Sequence, residues 1–330
     1  MPERVFETRN LIAAVNAMRP VGTPVLDKVF AQKERSLSSY MQFDVETDSE
    51  GVQVSVPSGS PANVINKDGF KTVVLPAPRF SEKVSIKPSD LDRIRGMGTE
   101  APAVMADIVG RNLANLRART DRTREFMAIK ALSGEVVDGS GTVLVSYDFP
   151  TGHKPVLSGT AKWDNETSNP LGNLRSWKKL ITSATGGAVE NFVAFCSSDV
   201  MDAILAHKKI GELLKSQAGQ DIAENGRIGR LAGIDMEEVL GTYKSGGSRA
   251  DMMPSGYIAV VGIGYGNTSE CYAPPEDFEA PNGIGSGKEP SVFFAKSWDE
   301  KDPSVKWIKT EARPLPVIKR PGCIVYAKVL

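Results

Sequence analysis

The longest helical pattern in the chain is residues 100–132, which read EAPAVMADIVGRNLANLRARTDRTREFMAIKAL. At about 1.5 Å per residue the segment spans roughly 50 Å, far more than the usual globular helix of about 11–12 residues. Thr99 provides an N-cap, Pro102 lies in the first turn, and Ser133-Gly134 provides a stop. One long helix without a partner helix, flanked by extended segments, suits a structural building block better than an enzyme pocket.

One face of this helix is apolar at both ends and polar in the middle. Steps of three and four residues place on it Met105, Val109, Leu113, Leu116, Thr120, Thr123, Met127 and Ala131. The other faces carry too many charges for a helix buried all round, namely Asp107, Arg111, Arg117, Arg119, Asp121, Arg122, Arg124, Glu125 and Lys130. Two interpretations remain open: these charges form the solvated side of a helix packed on a sheet, or some of the arginines contact neighbouring subunits.

A hairpin with segregated charges precedes the helix. Residues 40–87 alternate apolar and polar with the period of a strand, and Gly and Pro interrupt them. Residues 41–60 carry carboxylates and no basic residue, whereas the return limb is mostly basic: Asp44, Glu46, Asp48 and Glu50 against Lys67, Lys71, Arg79, Lys83 and Lys87. Opposed charges across the strands are expected to set the register. Because a ribbon with so little apolar content is marginal in water, we expect it to lean on a partner, most simply a second copy of the chain.

The rest of the chain divides into an arm and an α/β region. Residues 1–40 contain two short helical patterns joined by Pro and Gly, typical of an arm that lies on another surface. After a polar linker at 158–170, the pattern predicts a helix through Leu174 and Ile181, a buried strand at 191–196 and a helix at 199–216. Further strands are expected at 234–243, 257–261, 292–296 and 305–310. The last strand, at 324–330, needs a partner far back in the sequence.

Composition excludes several classes of protein. The 330 residues include 40 Lys and Arg and 40 Asp and Glu, so the chain has no overall attraction for nucleic acid, and any contact with DNA is local and weak. No stretch approaches the roughly 18 apolar residues of a membrane span, and the N-terminus has no signal core, so we expect neither membrane insertion nor export. Cys196, Cys271 and Cys323 lie far apart without metal-ligand spacing, which favours free thiols in a reducing cytosol.

Motifs for chemistry are weak throughout the sequence. Gly262 and Gly264 follow a predicted strand as in a dinucleotide-binding turn, but Asn267 replaces the third required glycine and no helix follows. His153 and His207 have no nucleophile at a recognisable spacing. Three neighbouring carboxylates suit a solvated turn, namely Asp299, Glu300 and Asp302. We therefore expect no catalytic, cofactor-binding or metal-binding residues, and a protein that is not an enzyme.

The order of elements resembles the major capsid proteins of tailed bacteriophages, of the phage lambda type known as major capsid protein E. Four stretches carry the resemblance: Gly69-Phe70-Lys71 through Phe80-Ser81-Glu82-Lys83-Val84 to Pro88 and Leu91; Ala131-Leu132-Ser133-Gly134; Phe195-Cys196-Ser197-Ser198-Asp199 with Lys209, Ile210 and Leu213-Leu214-Lys215; and Arg313-Pro314-Leu315-Pro316 to Leu330. The resemblance covers nearly the whole chain in element order and length.

The resemblance implies an α+β protein with the Hong Kong 97-type phage capsid fold. In that fold residues 1–40 are the N-terminal arm and residues 41–88 the extended β loop. Residues 89–160 and 306–330 form the peripheral domain, whose spine helix is 100–132, and residues 161–305 form the α/β axial domain.

The resemblance also implies a function, that of a major capsid protein. Such a protein self-assembles into hexamers and pentamers of an icosahedral procapsid, which comes to enclose double-stranded DNA. The implied partners are other copies of the chain, scaffolding and portal proteins, a decoration protein, and packaged DNA through weak non-specific contacts, but no membrane. The implied location is the virion, after assembly in the bacterial host cytoplasm.

Covalent crosslinking differs among shells of this fold. Some crosslink a loop lysine to an asparagine of a neighbour, and Lys67 or Lys71 is placed for it. No catalytic carboxylate marks that reaction in the sequence, and we expect it to be absent. The alternative functions are an encapsulin-like protein compartment of the same fold and, further away, a soluble α/β enzyme without a recognisable motif.

Overall fold

A computed structural model describes residues 6–19, 21–47, 69–90, 101–214, 228–245 and 247–330. Its first elements are helix α1 (Thr8–Ala17), helix α2 (Pro24–Val29) and strand β1 (Lys33–Arg35). Leu11 and Val15 of α1 are buried, as are Val25, Leu26 and Val29 of α2. Strand β1 pairs in parallel with residues 270–272. The described part of the predicted arm therefore lies on the body of its own chain.

The predicted hairpin is present as β2 (Tyr40–Thr47) and β3 (Gly69–Pro76), and its tip lies outside the described residues. Their antiparallel register sets Asp44 opposite Thr72 and Glu46 opposite Phe70, while Lys71 is opposite Val45. The expectation that opposed charges set the register is wrong for these pairs, because no acidic position of β2 is directly opposite a basic position of β3. At its base the ribbon is supported by its own chain, since Met41 is buried in the core.

The long helix, α3, runs from Ala101 to Ala131 and confirms the prediction along its described length. Thr99, the expected N-cap, lies outside the described residues. Beyond the C-terminus, Gly134 has a φ of 96°, a left-handed conformation that glycine adopts without strain. Its N–H donates to the carbonyl oxygen of Ala131 at 2.9 Å. The Ser133-Gly134 stop is thereby confirmed.

The strands and helices of the α/β region largely follow the predicted pattern. After β4 (Phe80–Ile86) and the hairpin of β5 (Glu135–Val137) and β6 (Val143–Ser146), the chain forms α4 (Pro170–Ala184) and β7 (Asn191–Cys196). The helix predicted at 199–216 is divided into α5 (Ser198–Ala206) and α6 (Lys208–Leu214), because His207 between them has an extended backbone. Residues 215 and 216 lie outside the described residues.

The remaining strands are β8 (Arg230–Leu231), β9 (Ile234–Glu238), β10 (Thr242–Ser245), β11 (Ser248–Asp251), β12 (Tyr257–Ile263), β13 (Thr268–Tyr272), β14 (Phe294–Glu300), β15 (Val305–Ala312), β16 (Pro314–Ile318) and β17 (Ile324–Lys328). Among them, the predicted ones differ from the prediction at their ends, and β8, β11 and β13 lie outside every predicted strand. The strand predicted at 234–243 ends at Glu238, and a separate hairpin of β10 and β11 follows Gly241. Asp299 and Glu300, predicted in a turn, end strand β14.

A five-stranded sheet of order β17-β12-β7-β9-β8 separates two hydrophobic cores. Alternate residues of its central strands contribute to each core, as the two-residue period of a strand requires. Phe195 and Ala259 belong to core 1, with the C-terminal part of α3, whereas Ala194 and Val260 belong to core 2, with α4 and α5. The sheet is therefore buried on both faces.

The C-terminal strand β17 completes this sheet by pairing antiparallel with β12. Ile324 packs in core 1 and Val325 in core 2, so the strand is buried on both faces. The expected partner far back in the sequence is thus Tyr257–Ile263, inside the range assigned to the axial domain. Residues 324–328 therefore share a sheet with residues 161–305, and the expected boundary at 306 does not coincide with a boundary between sheets.

A third core lies under the N-terminal half of α3. Leu113 and Leu116 pack there with Val15 of α1 and with Ile308 of the sheet β14-β15-β4. The C-terminal residues Met127 and Leu132 belong to core 1. Helix α3 consequently joins two cores, and its polar middle lies between them.

Candidate functional site

The middle of α3 is more buried than its charges suggest. The predicted solvated side chains of Arg117, Asp121, Arg124 and Glu125 are only 8%, 0%, 5% and 6% exposed. The interpretation of these four residues as surface charges is wrong, because groups from distant elements pair with them. Arg111, Arg119 and Arg122 of the same helix are exposed, as expected.

The strongest contact in this cluster is a two-point ion pair between Arg124 and Glu270 of β13. Arg124 Nε and Nη2 donate to the two carboxylate oxygens of Glu270, each at 2.7 Å, and Nη1 donates to Asp121 Oδ1 at 2.7 Å. The hydroxyl of Tyr272 donates to Glu270 Oε2 at 2.6 Å. Burial alone would lower the pKa of Arg124, but the hydrogen bonds and charge of Glu270 raise it well above its ordinary value. The planar guanidinium fork matches this geometry, which a lysine cannot reproduce.

Arg117 extends the cluster to the N-terminal arm. Its Nε lies 3.3 Å from Asp121 Oδ2, and its Nη1 donates to the carbonyl oxygen of Val15 at the end of α1. The guanidinium carbon lies 4.5 Å from the centre of the Phe293 ring. Two arginines and two carboxylates thus form a neutral network, which we call the spine network: Arg117, Asp121, Arg124 and Glu270.

Chemically the spine network is suited to holding elements together. It joins α1, α3 and β13 in the interior, where each charge has an opposite charge within hydrogen-bonding distance. The hydroxyl pKa of Tyr272 is raised, by burial and then by the charge of Glu270, so the group stays protonated. A protonated phenol and fully paired charges provide no activated nucleophile.

Glu125, next to the network, holds the second arm helix. Its two carboxylate oxygens accept hydrogen bonds from the backbone N–H groups of Val25 at 2.9 Å and Leu26 at 3.0 Å, in the first turn of α2. Burial raises the pKa of Glu125 to about 7, although both hydrogen bonds act in the opposite direction. This contact places a titratable group between the arm and the long helix.

Arg313 fastens both ends of the β2–β3 ribbon at its base. Its Nη1 donates to Ser39 Oγ at 3.1 Å and to the carbonyl oxygen of Pro274 at 3.3 Å, and its Nη2 donates to the carbonyl oxygen of Ala77 at 3.0 Å. Ser39 directly precedes β2, and Ala77 directly follows β3. One buried side chain therefore fixes where the ribbon leaves the body.

The buried carboxylate of Glu311 lies beside this base. Glu311 accepts hydrogen bonds from Arg79 Nη2 and Lys309 Nζ, each at 2.9 Å, and from the backbone N–H of Glu276 at 2.7 Å. Burial alone would raise the pKa of Glu311, but these hydrogen bonds lower it. The carboxylate therefore remains charged and keeps the start of β4 attached to β15.

An open cleft of about 740 Å³ lies between the start of β4, α3, the turn after β5 and the β10–β11 hairpin. Cationic side chains exceed carboxylates along it: Arg79, Arg119, Arg122, Lys244 and Arg249 against Glu82 and Asp138. Phe126 and Tyr243, with ring centres 4.6 Å apart, close one side.

Comparison with known proteins gives these features a context. The family model of phage major capsid protein E matches residues 7–329. The chain belongs to the phage major capsid protein E family. A curated relative, the major capsid protein of Salmonella phage Felix O1, is 30% identical over 100 residues. That match covers 30% of this chain and 24% of the relative, so it spans about a quarter of that protein's length.

Solved structures show the fold of this family member. The proposed capsid protein of a prophage of E. coli CFT073 is similar with a TM-score of 0.66 and 16% identity, over 98% of this chain and 99% of that one. A protein of the mature capsid of bacteriophage PhiM1 is similar with a TM-score of 0.56 and 12% identity, over 94% of this chain and 88% of that one. A phage-related protein from Bordetella bronchiseptica RB50 is similar with a TM-score of 0.58 and 12% identity, over 96% of this chain and 95% of that one. The chain has the α+β phage capsid fold of the Hong Kong 97 type.

The glycine motif of this capsid protein is a packed turn. A Cβ atom at Gly264 would lie 2.1 Å from the carbonyl oxygen of Ala188, and one at Gly262 would lie 2.7 Å from Ile181. Asn267 Nδ2 donates to the carbonyl oxygen of Ala188 at 3.0 Å. The glycines at 262 and 264 thus allow β12 and the turn that follows it to pack closely on α4 and on the segment after it.

Both histidines are buried packing residues in the capsid fold. His153 Nδ1 lies 2.8 Å from the carbonyl oxygen of Ile324, and His207 Nε2 lies 3.1 Å from Ser168 Oγ. Among the described residues no group of three or more His, Cys, Asp or Glu side chains is arranged to hold a metal ion. None of the described helices is long and apolar enough to cross a membrane. Lys67 lies outside the described residues, and Lys71 belongs to β3.

Sequence reasoning missed the partners of the buried charges. Glu270 lies in β13, and Arg313 follows β15 directly. Arg313 could have been singled out, because it begins the stretch Arg313-Pro314-Leu315-Pro316, which carries part of the family resemblance. For Glu270 no local signal exists, since its partner Arg124 is 146 residues away.

Proposed function

We propose that this chain is the major head subunit of a phage, which self-assembles into hexamers and pentamers of an icosahedral shell enclosing double-stranded DNA. The observation that carries the proposal is the family match along residues 7–329 together with the capsid fold. The subunit acts structurally and without catalysis, and it takes no cofactor.

The expected domain roles belong to the same proposal. Residues 1–40 serve as the arm, 41–88 as the extended loop, 89–160 with 306–330 as the peripheral domain, and 161–305 as the axial domain. The sheet shared by β17 and β12 supports a rigid connection between the peripheral and the axial domain. Heterologous contacts between copies close into rings of five and six.

Further partners follow from this role. We propose assembly in the host cytoplasm with a separate scaffolding protein, a portal at one vertex, and a decoration protein on the outer surface. Contacts with packaged DNA are weak and non-specific, since the 40 basic and 40 acidic residues balance.

Electron microscopy of the expressed chain tests the proposal. Closed shells tens of nanometres across are expected, alone or with the scaffolding protein, and native particles should contain nucleic acid. A strictly small oligomer would contradict the capsid role, and shells filled with a protein cargo would indicate the encapsulin-like alternative.

A further inference from the structure

The outer face of helix α4 carries three cationic side chains and no carboxylate. The inner face of this helix packs in core 2 through Trp177 and Ile181. On the opposite side Arg175 and Lys179 are exposed, and Lys178 is half-buried. The 15 residues of α4 include no Asp or Glu. The helix therefore presents three positive charges to its surroundings and no negative charge of its own.

These three side chains line an open recess of about 510 Å³ between α4 and the turn that joins β8 to β9. The lining is completed by Thr182 and Ser183 of the helix and by Ala232 of the turn. No carboxylate is found among the described residues that line the recess, whereas Glu82 and Asp138 line the larger cleft beside α3. The recess thus offers a ligand cations and hydroxyl groups without an opposing charge.

The three charges are not balanced within the described part of the chain, where Arg175, Lys178 and Lys179 form no ion pair. A helix C-terminus stabilises cations in the last turn, but the last turn of α4 has no basic residue. Arg175 and Lys179 are four positions apart, an arrangement in which like charges destabilise a helix. A bound anion would remove this repulsion.

The phosphate backbone of a nucleic acid duplex matches this surface. Side chains three and four positions apart on a helix have Cβ atoms about 5–6 Å apart, and each DNA strand has a phosphate about every 3.4 Å along the axis, so three such cations reach neighbouring phosphates. None of the lining residues that the structure describes is aromatic, so the recess provides no ring on which the bases of a single strand would stack. Contacts to phosphates alone carry no sequence preference.

We propose that the outer face of α4, formed by Arg175, Lys178 and Lys179, binds the phosphate backbone of double-stranded DNA and faces the interior of the shell. This inference rests on the proposed function, in which the shell encloses DNA, and it names the surface that the DNA contacts. Three charges give a weak contact in one subunit, and repetition over many copies strengthens it in the shell. The contact should weaken steeply as salt rises, because binding releases the counterions of the DNA.

A salt titration of DNA binding tests the surface. Fluorescence anisotropy of a labelled duplex of about 20 base pairs measures binding to the unassembled full-length chain at several salt concentrations. The triple variant Arg175→Gln, Lys178→Gln, Lys179→Gln should bind at least tenfold more weakly at low salt. The plot of log K against log salt should become less steep by about 2–3, since three phosphate contacts are lost.

The matched control removes the same number of charges from the cleft beside α3. Arg122→Gln, Lys244→Gln, Arg249→Gln gives the chain the same net charge as the α4 variant, and all three residues are exposed. This control should bind the duplex within about threefold of wild type and with the wild-type salt slope, because distant charges are screened.

A second variant guards against a loss of structure in the first. Lys178 Nζ lies 4.8 Å from the centre of the Phe192 ring and so also covers core 2. Arg175→Gln with Lys179→Gln leaves this contact in place and should reduce the salt slope by about 2. Circular dichroism should be the same for both variants and wild type.

The orientation of the face is tested in particles that contain DNA. Formaldehyde crosslinking, followed by digestion and mass spectrometry, should find nucleotides attached to Lys178 and Lys179. Attachment to Lys244 without attachment to these two lysines would overturn the proposal.

The binding measurements can also contradict it. Equal salt slopes for wild type and the folded α4 variants would do so, as would an equal loss of binding in the cleft control. Failure of the α4 variants to form shells with unchanged duplex binding would assign the face to an acidic surface of another copy. A wild-type chain that never forms shells would instead contradict the proposed function, and the duplex titration would still decide whether α4 binds DNA.

Discussion

The carboxylate of Glu125 in the long helix accepts a hydrogen bond from the backbone N–H of Val25 in the arm, 2.9 Å away, although the two residues are 100 positions apart. The same carboxylate accepts from Leu26 N–H at 3.0 Å. A buried acid thus caps the N-terminus of the arm helix α2 and anchors it to α3. Because burial raises the pKa of Glu125, this anchor depends on pH in a direction that can be worked out.

We predict that the subunit becomes less stable as the pH rises from 5 to 8. The pKa of Glu125 is about 7 in the folded chain against 4.5 ordinarily, so between these values the folded state holds a proton that the unfolded state has released. The contribution is therefore complete below about pH 4.5 and lost as the pH rises through 7, for a total of about 3 kcal/mol. Urea unfolding of the unassembled chain at several pH values measures it. Hydrogen bonds to cationic side chains lower the pKa values of Asp277 and Glu311, so protonation of these two carboxylates affects the free energy of unfolding only at lower pH.

Two substitutions isolate this effect. Glu125→Gln keeps an acceptor but cannot ionise, and should flatten the dependence between pH 5 and 8. Glu125→Ala should also flatten it, but at a cost of about 2 kcal/mol, because two buried N–H groups lose their acceptor. Glu135→Gln changes an exposed carboxylate just after α3 and should leave the slope unchanged. A slope that survives in Glu125→Gln would assign the dependence to another group.

A second prediction concerns the pairing of Arg124 with Glu270. Arg124→Met should lower the free energy of unfolding by about 3–5 kcal/mol, because it leaves Glu270 buried without its cation. Arg124→Lys should also be destabilising, since an ammonium cannot make both 2.7 Å contacts. The double variant Arg124→Met, Glu270→Leu should lose less than the sum of its single variants, as measured in a double-mutant cycle.

The exposed pair of Arg119 and Glu82 provides the control for that prediction. It has the same two-point geometry, with distances of 2.7 and 2.6 Å, but the side chains are 64% and 43% exposed. Solvent screening should limit the effect of Arg119→Met to less than about 1 kcal/mol. If both arginine variants have equal effects on stability, burial is not what strengthens the Arg124 pair.

Our third prediction is that the tip of the ribbon contacts a neighbouring subunit and is needed for shell assembly. Deleting residues 55–68 should leave a folded monomer that no longer forms closed shells, because the described base of the ribbon is held by Met41 in core 1 and by Arg313. Circular dichroism with thermal unfolding measures the fold, and electron microscopy measures the shells. A large loss of monomer stability would place the deleted segment in the core of its own chain.

The sequence was informative where a periodic pattern decides the structure. The long helix, the hairpin and the buried strand at 191–196 each follow from spacing alone, because burial on one or both faces imposes a period. The same method placed Arg117, Asp121 and Arg124 on the surface, since it treats every charge as solvated. Their burial depends on partners in α1 and β13, which only the tertiary fold brings near.

The partner of β17 is a second feature that the sequence alone could not predict, and it bears on the expected domain boundary at residue 306. Strand β17 was expected to pair with a distant segment, and that expectation is confirmed by its pairing with β12. Nothing in the sequence of residues 324–328 distinguishes one buried partner strand from another, because Ile324 and Val325 suit any strand between two cores. The residue patterns predicted the order of elements, on which the family resemblance rests, and the packing of two cores against one sheet decided the partner strand.

The fourth prediction concerns Arg313, which holds Ser39 and Ala77 at the two ends of the ribbon. Arg313→Lys should release at least one of these contacts, because a single ammonium cannot reach partners held by Nη1 and Nη2. We expect hydrogen exchange at the amide of Ala77 and in β2 and β3 to accelerate about tenfold or more, the equivalent of losing one charge-assisted hydrogen bond. The amides of β7 and β12 should exchange at unchanged rates. Arg230→Lys, at an exposed arginine paired with Asp235, provides a matched control and should leave the ribbon unaffected. Equal acceleration in all four strands would mean that Arg313 stabilises the whole subunit and does not act specifically on the base of the ribbon.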